Sequence, residues 1–521
     1  MRRDESRLYR MNDMGIVARQ SIKGTLATYL GVVVGIVTTF FIQTKALTAD
    51  EIGLIDVLLQ CALLFSGIAQ LGTNSSAMRY YPYFKDEAHR DHGFFGWTLL
   101  VPLIGFSIFL VVFLLFKNSI VAYFTKDSTA FGEYVYFVIP LAFFMLYISV
   151  FETNSNLLLR ISVPKFIREV GLRVMTLVVY LLYFYKVLNF KGVVVSFCVF
   201  YGLATLVNIG YLLSLQRVSF RIEKGFVKKE LKRDFLFYTA FMITAALAGN
   251  VIPMLSKFFV AGGVSFHLAG VFTIATNIAA VVEMPYRSLG AISRPHISEA
   301  MARQDVKQAD ILCKNVALHQ YIAGTFVFFV IWTNIDLLFS ILPNGEVYRV
   351  GKWAVLLLCI GRLVYSTFAV TTTVLSYSKY YYYSLIFTVL LTLMSFFMNR
   401  YFVPKWDING GALAYTLSYS IYFILLLAFI KWKIGVLPLT KKMLAVSAII
   451  LVMFGLNWLW MLVITPWFSG LFAKPIYGLL LDGVIKTVAF LLLGMTTVYK
   501  LRISMSVNDL IDKGLKLLRL K

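Results

Sequence analysis

The sequence predicts an all-α polytopic membrane protein of about 14 transmembrane helices, built as two six-helix lobes in a parallel pseudo-two-fold repeat plus two C-terminal helices. Three observations carry that prediction. Of 521 residues, 59% are hydrophobic and only 14% charged, and the mean hydropathy is +0.78. Soluble domains carry about 25% charged residues, so the apolar excess must face lipid. Apolar runs of bilayer length recur along the whole chain, leaving short loops and no room for a large soluble domain. Lys and Arg gather in alternate loops, which is how cytoplasmic loops differ from outer ones.

In chain order the segments are a basic N-terminal stretch 1–23, a first lobe 24–215, a basic linker 216–234, a second lobe 235–430, two further spans within 431–500 and a basic tail 501–521. The spans are expected at 24–43, 53–74, 94–116, 131–153, 170–186, 192–215, 235–260, 267–289, 315–334, 352–376, 380–400, 411–430, 443–464 and 476–499. The first run reaches Phe41 without a small-residue cleavage site, so it reads as a span and not as a removable signal. With span-end residues counted in the adjoining loop, one side of the membrane carries 36 Lys and Arg and the other 11. This places both termini in the cytoplasm.

The linker 216–234 holds seven basic residues. Six spans precede it, an even number, so a second six-span unit enters the membrane in the same direction as the first, a parallel repeat. Weak internal similarity agrees with that plan. Glu51-Ile52-Gly53 opens the second span and Arg79-Tyr80-Tyr81-Pro82 follows it, while Leu268-Ala269-Gly270 opens the eighth and Ser293-Arg294-Pro295 follows. At the same distance before each proline stand two polar residues, Gln70 and Glu283. In the tail, Val507, Leu510, Ile511, Leu515 and Leu518 recur at helical spacing, which reads either as an in-plane helix on anionic lipid or as a frayed basic end.

The net charge of +23 lies in the loops and calls for no nucleic-acid partner. Cys61, Cys198, Cys313 and Cys359 are separated singletons, neither a disulfide framework nor a metal set. His89 and His92 have a metal-like spacing, but with charged neighbours and no Cys they read as a solvated loop face. No metal or cofactor is expected. The longest outer loop, about Ile335 to Gly351, offers only Asp336 and Glu346, too far apart along the chain for acid–base catalysis. No phosphate-cradling Gly-rich Lys-Ser/Thr motif occurs.

Ionisable groups inside spans cost at least about 2.5–3.5 kcal/mol and require a partner or a wet cavity. Arg362, mid-way along the tenth span, shares a helix face with Ser366 and Thr373. It reads either as an anion site or as half of an ion pair with another helix. Lys257 follows Asn250 and Pro253 near the outer end of the seventh span. Snorkelling to the interface is preferred there over a polar gate, and Asp56 reads as interfacial. Glu152 and Glu283 are candidates for H+ or Na+ coupling, although Arg287 offers Glu283 an intrahelical salt bridge. Asp482 and Lys486 read as an intrahelical pair. Tyr377 and Tyr380 to Tyr383 read as an interfacial belt, and Gly31 and Gly35 as a close helix contact.

Ser21 to Phe41, Leu47-Thr48-Ala49-Asp50-Glu51-Ile52-Gly53, Arg79-Tyr80-Tyr81-Pro82 and Gly270 to Pro295 resemble the polysaccharide flippases of the multidrug/oligosaccharidyl-lipid/polysaccharide exporter superfamily. The resemblance covers the N-terminal two-thirds best. It implies two six-helix lobes in a V, a cavity between them, alternating access driven by an ion gradient, and a polyprenyl-diphosphate-linked oligosaccharide as substrate in a bacterial cytoplasmic membrane. Polysaccharide-assembly proteins would be partners. Many drug antiporters of the superfamily have an acidic residue in the first span, whereas 24–43 has none. Peptidoglycan-precursor flippases share the two extra spans but cluster arginines in the first lobe, where this chain has no deep Arg or Lys. The surface-polysaccharide branch is therefore preferred, with ion-coupled drug antiport, or a membrane glycan polymerase or ligase, as alternatives. On this reading Arg362, Ser366, Thr373, Lys257 and Asn250 are the substrate-binding candidates.

Overall fold

The computed structural model describes residues 27–86, 89–124, 130–215, 238–239, 251–252, 254–472, 475–505, 508–509 and 512. Asn250, Pro253, the linker 216–234, the segment 1–23 and most of the tail lie outside these. Every regular element among the described residues is helical. Among the described residues ten helices are long and apolar enough to cross a bilayer, or eleven if one bent pair counts as a span. The chain forms two compact units, 1–270 and 271–521.

The first unit contains α1 (Ala27–Ala46), α2 (Ala49–Ala69), α3 (Phe94–Phe124), α4 (Ala130–Leu157), α5 (162–184), α6 (Phe190–Ser214) and α7 (254–263). It also holds the start of α8 (Phe266–Arg287). Thr48 and Glu51 cap α2 reciprocally: Glu51 N donates to Thr48 Oγ1 at 3.3 Å and Thr48 N to Glu51 Oε2 at 2.8 Å. The Gly31/Gly35 spacing makes the close contact it predicts, because a Cβ on Gly31 would strike the Glu169 carbonyl of α5 and one on Gly35 the Arg173 side chain. α2 packs on α3 and α4, and α4 on α6. The expected fifth span is α5, which passes through a π turn at Ile167–Gly171; the expected seventh falls mostly outside the described residues.

The second unit holds the rest of α8, α9 (Val306–Thr333), α10 (352–376), α11 (Tyr383–Lys433), α12 (Lys441–Val463) and α13 (Pro475–Lys500). α10 is the bent pair, turning by 42° between Phe368 and Val370. α11 has 51 residues and would be about twice a bilayer long if straight. It is not straight: after Pro404 the backbone leaves helical geometry at Trp406 and Asp407. The Tyr383 and Phe429 rings then meet at 4.6 Å. The element is thus a helical hairpin covering two expected spans. Asp305 caps α9 by accepting from Gln308 N at 2.9 Å.

Candidate functional site

In the second unit, Gly361 sets the position of Arg362. A Cβ on Gly361 would lie 2.7 Å from Thr416 Oγ1 and 2.9 Å from the Tyr415 ring, so its absence lets α10 and the second limb of α11 approach closely. Thr416 Oγ1 fastens the approach by donating to the Leu357 carbonyl at 2.6 Å. Arg362 then lies with its guanidinium carbon 5.2 Å from the centre of the Tyr415 ring. From α8, a 3₁₀ turn at Val281–Glu283, immediately before Met284-Pro285, brings Glu283 into an ion pair with Arg362 Nη1. Both side chains are largely withdrawn, at 19% and 11% exposure.

Tyrosines complete the cluster. Tyr365 packs edge-on against Tyr286 at 5.7 Å and Tyr419 at 5.4 Å, and Tyr415 lies 4.7 Å from Tyr419. Arg294 donates to Tyr286 Oη at 2.7 Å. Two guanidinium groups therefore stand in one aromatic network with one carboxylate. Arg362 Nε is buried with no hydrogen-bond partner among the described residues, so the guanidinium is held at one end and unsatisfied at the other.

Of the residues singled out in sequence, Arg362 and Glu283 are brought together as an interhelical ion pair, one of the two readings of Arg362, and Glu283 takes Arg362 as its partner and not Arg287. Arg287 points to the exposed surface, because the tight turn at 281–283 swings Glu283 toward α10. Ser366 donates to the Leu363 carbonyl of its own helix at 3.1 Å. Thr373 lies beyond the bend of α10 and so leaves the line that a straight helix would give it.

The first unit has its own polar site. A cavity of about 430 Å³ has Gln60, Ser66, Gln70, Ser149, Glu152 and Arg168 among its lining residues. Glu152 pairs with Arg168 Nη1 at 2.6 Å, and Gln70 and Asn74 both donate to Ser149 Oγ, at 3.0 and 2.9 Å. Gln70 and Glu283, matched by register in sequence, thus each stand in their own unit's polar cluster. On the other face of α4, Phe143, Phe144, Tyr147 and Phe151 line an apolar groove of about 590 Å³ with residues of α3 and α6.

Lys257 is buried and donates to both Asp56 oxygens, at 3.0 and 2.8 Å. This corrects the reading of snorkelling: a carboxylate on α2 spares the ammonium the reach to water. Asp482 and Lys486 do stand as a pair, at 3.9 Å. Their shorter bonds go elsewhere: Trp460 Nε1 and Thr465 Oγ1 donate to Asp482 at 2.7 and 3.0 Å, and Lys486 donates to the Thr333 carbonyl at 3.0 Å. In the segment before α10, Asp336 is bound by Lys352 at 2.7 Å and Glu346 by Arg349 at 3.1 Å.

No family model matches this sequence, and no curated protein sequence matches it. Solved structures do. The chain is similar to an inward closed structure of the lipid II flippase MurJ, at 12% identity and a TM-score of 0.68, over 91% of this chain and 98% of that one. It is similar to an inward-facing multidrug resistance transporter of the MATE family, at 14% identity and a TM-score of 0.55, over 78% and 94%. A transporter of the MOP superfamily from Pyrococcus furiosus matches at 14% identity and a TM-score of 0.56, over 82% and 96%. The fold is that of the MOP superfamily transporters, the exporter group that the sequence motifs resemble. These neighbours are transporters and flippases and not enzymes.

Proposed function

We propose that the protein flips a polyprenyl-diphosphate-linked oligosaccharide across the bacterial cytoplasmic membrane for surface-polysaccharide synthesis, by alternating access. The observation that carries this reading is Arg362: a guanidinium within the helices of the second unit, held by one carboxylate, set over the Tyr415 ring and with a buried Nε that no described residue accepts. An anion is the ligand that completes it. The first unit adds a second argument. The polar cavity and the apolar groove on opposite faces of α4 suit a substrate with a hydrogen-bonding head and a hydrocarbon tail.

The Arg362–Glu283 pair supplies a coupling step. While Glu283 is charged and bare, it occupies the guanidinium. A cation arriving at Glu283, H+ or Na+, cancels that charge and releases Arg362 to the diphosphate. Carboxylate and diphosphate then alternate as the partner of one cation. Unaided transfer of the diphosphate through hydrocarbon would cost tens of kcal/mol in a Born estimate. Outward movement of about two negative charges is favoured by about 4–5 kcal/mol at 100 mV, inside negative. Lys257, its charge paired with Asp56, leaves the substrate's charge to Arg362, and Glu152 with Arg168 is the corresponding ion-sensitive pair of the first unit.

The test is restoration of surface polysaccharide in cells lacking the chromosomal gene. Arg362→Ala is expected to cut export about tenfold to a hundredfold, the worth of one charge-assisted hydrogen bond of about 1.5–3 kcal/mol, and Arg362→Lys to retain part of it. Full export by both variants at normal protein levels would remove Arg362 from the mechanism. Resistance to cationic compounds without a glycan phenotype would favour drug antiport, and glycan elongation by the purified protein in liposomes would favour a polymerase.

A further inference from the structure

The loop joining the second and third spans of the first unit brings three ligand-bearing side chains to one point. Asp86, His89 and His92 each offer one donor atom, and the three atoms all lie within 4.8 Å of one another. His89 Nδ1 is 2.8 Å and His92 Nε2 3.4 Å from the same oxygen, Asp86 Oδ2. The two imidazoles lie nearly parallel, 10° apart with centres at 5.2 Å, so that both turn a nitrogen toward that oxygen.

The backbone is built to hold this arrangement. Asp91, buried beneath it, accepts from Asp86 N at 2.9 Å and from Tyr81 Oη at 3.0 Å, while its own N–H donates to the Asp86 carbonyl at 2.8 Å. His92 N donates to the His89 carbonyl at 3.1 Å. Asp91, His92 and Gly93 all have left-handed φ, at 53°, 50° and 75°, a run that two non-glycine residues adopt only when their surroundings enforce it. The enforced turn is what carries His92 back over Asp86.

We propose that Asp86, His89 and His92 form a Zn2+ site that fastens this loop. Tetrahedral zinc with nitrogen and oxygen ligands at about 2.0–2.2 Å has ligand-to-ligand edges of about 3.3 Å, which the two separations at Asp86 Oδ2 bracket. Two imidazoles and one carboxylate suit a borderline cation and not Mg2+ or Ca2+, which take oxygen ligands. The fourth position is open to water. The metal would close the chain between Asp86 and His92 and so pin the entry to α3 against the segment that follows α2. The sequence reading set the spacing of these two histidines aside because no Cys joins them and their neighbours are charged; the turn at 91–93 is what gathers them on Asp86.

The experiment uses the full-length protein in detergent, purified through a tag without histidines, equilibrated with micromolar Zn2+ and analysed by plasma mass spectrometry. Co2+ is then used as a visible reporter. One Zn2+ per chain is expected in excess of the amount bound by His89→Ala/His92→Ala, and at least about tenfold weaker binding by His92→Ala alone. His296→Ala, remote in sequence, should bind as the wild type does. Co2+ should give a tetrahedral nitrogen–oxygen spectrum that Zn2+ abolishes, a readout on the wild type that needs no variant to fold. Equal zinc in wild type and double variant, no stoichiometric zinc in the wild type, or a Co2+ spectrum with thiolate charge transfer would each overturn the site.

Discussion

Two buried cation–carboxylate pairs, one in each unit, show how similar chemistry serves different ends. In the first unit Lys257 spends two of its three donors on Asp56, whose Oδ1 is also 3.4 Å from the Gln60 amide. In the second unit Arg362 gives Nη1 to Glu283, keeps Nε without a partner among the described residues and is faced by the Tyr415 ring. An ammonium is a compact charge that one carboxylate can satisfy. A guanidinium has five donors in a fixed fork, which one carboxylate cannot exhaust. A pair that satisfies itself ties helices together, whereas one that leaves donors over can exchange partners. The pair of α13 lies at the closed extreme: Asp482 and Lys486 are 2% and 6% exposed and both are bound to groups on other elements.

The largest expected effect follows from that closed extreme. Asp482→Ala leaves Lys486 charged and buried with only a carbonyl, and breaking a buried pair on one side costs about 3–5 kcal/mol. A sharp fall in the thermal unfolding midpoint in detergent and poor accumulation in membranes are expected. A midpoint unchanged from the wild type would show that α13 is not held by this pair.

Next in size is Glu283→Gln. The amide keeps the shape of Glu283 but not its charge, so Arg362 is released without a cavity. In liposomes, binding of the lipid-diphosphate glycan should tighten and turnover should slow about tenfold, the equivalent of one charge-assisted hydrogen bond. Unchanged binding with unchanged turnover would reduce the Arg362–Glu283 pair to a structural clasp like that of Lys257.

Much of this architecture was legible in sequence because lipid imposes it. The apolar excess and the spacing of the runs announce a helical membrane protein, and the Gly31/Gly35 step announces a close crossing. Arg362 and Glu283 were visible as costly residues inside spans, and an ion pair between Arg362 and another helix was one reading, but that Glu283 is the partner was not legible. It depends on the 3₁₀ turn at 281–283 and on the gap at Gly361, neither of which has a periodic signature. Tyr415, Tyr419 and Tyr422 did carry a signal: they recur at i, i+4 and i+7 on one face of a span. It was masked by the denser tyrosine run at 380–383. The ten or eleven span-like helices differ from the expected fourteen where a span passes through a π turn, where two share a hairpin helix, and where one falls outside the described residues.

The smallest net effect is that of removing the Lys257–Asp56 pair whole. Lys257→Met alone leaves Asp56, at 16% side-chain exposure, without its cation, and should lower stability by a few kcal/mol. Lys257→Met combined with Asp56→Leu removes both charges, and replacing a whole buried pair with packed hydrophobic side chains is often neutral. The double variant should therefore recover most of the loss, to within about 1 kcal/mol of the wild type, and flip substrate at the wild-type rate. Applied at the other site, Arg362→Met with Glu283→Leu should recover stability in the same way and still transport about tenfold to a hundredfold less than the wild type. If the Lys257 double variant folds but loses transport, its charge acts on the substrate after all, and the distinction between spent and unspent donors fails at the point where it was drawn.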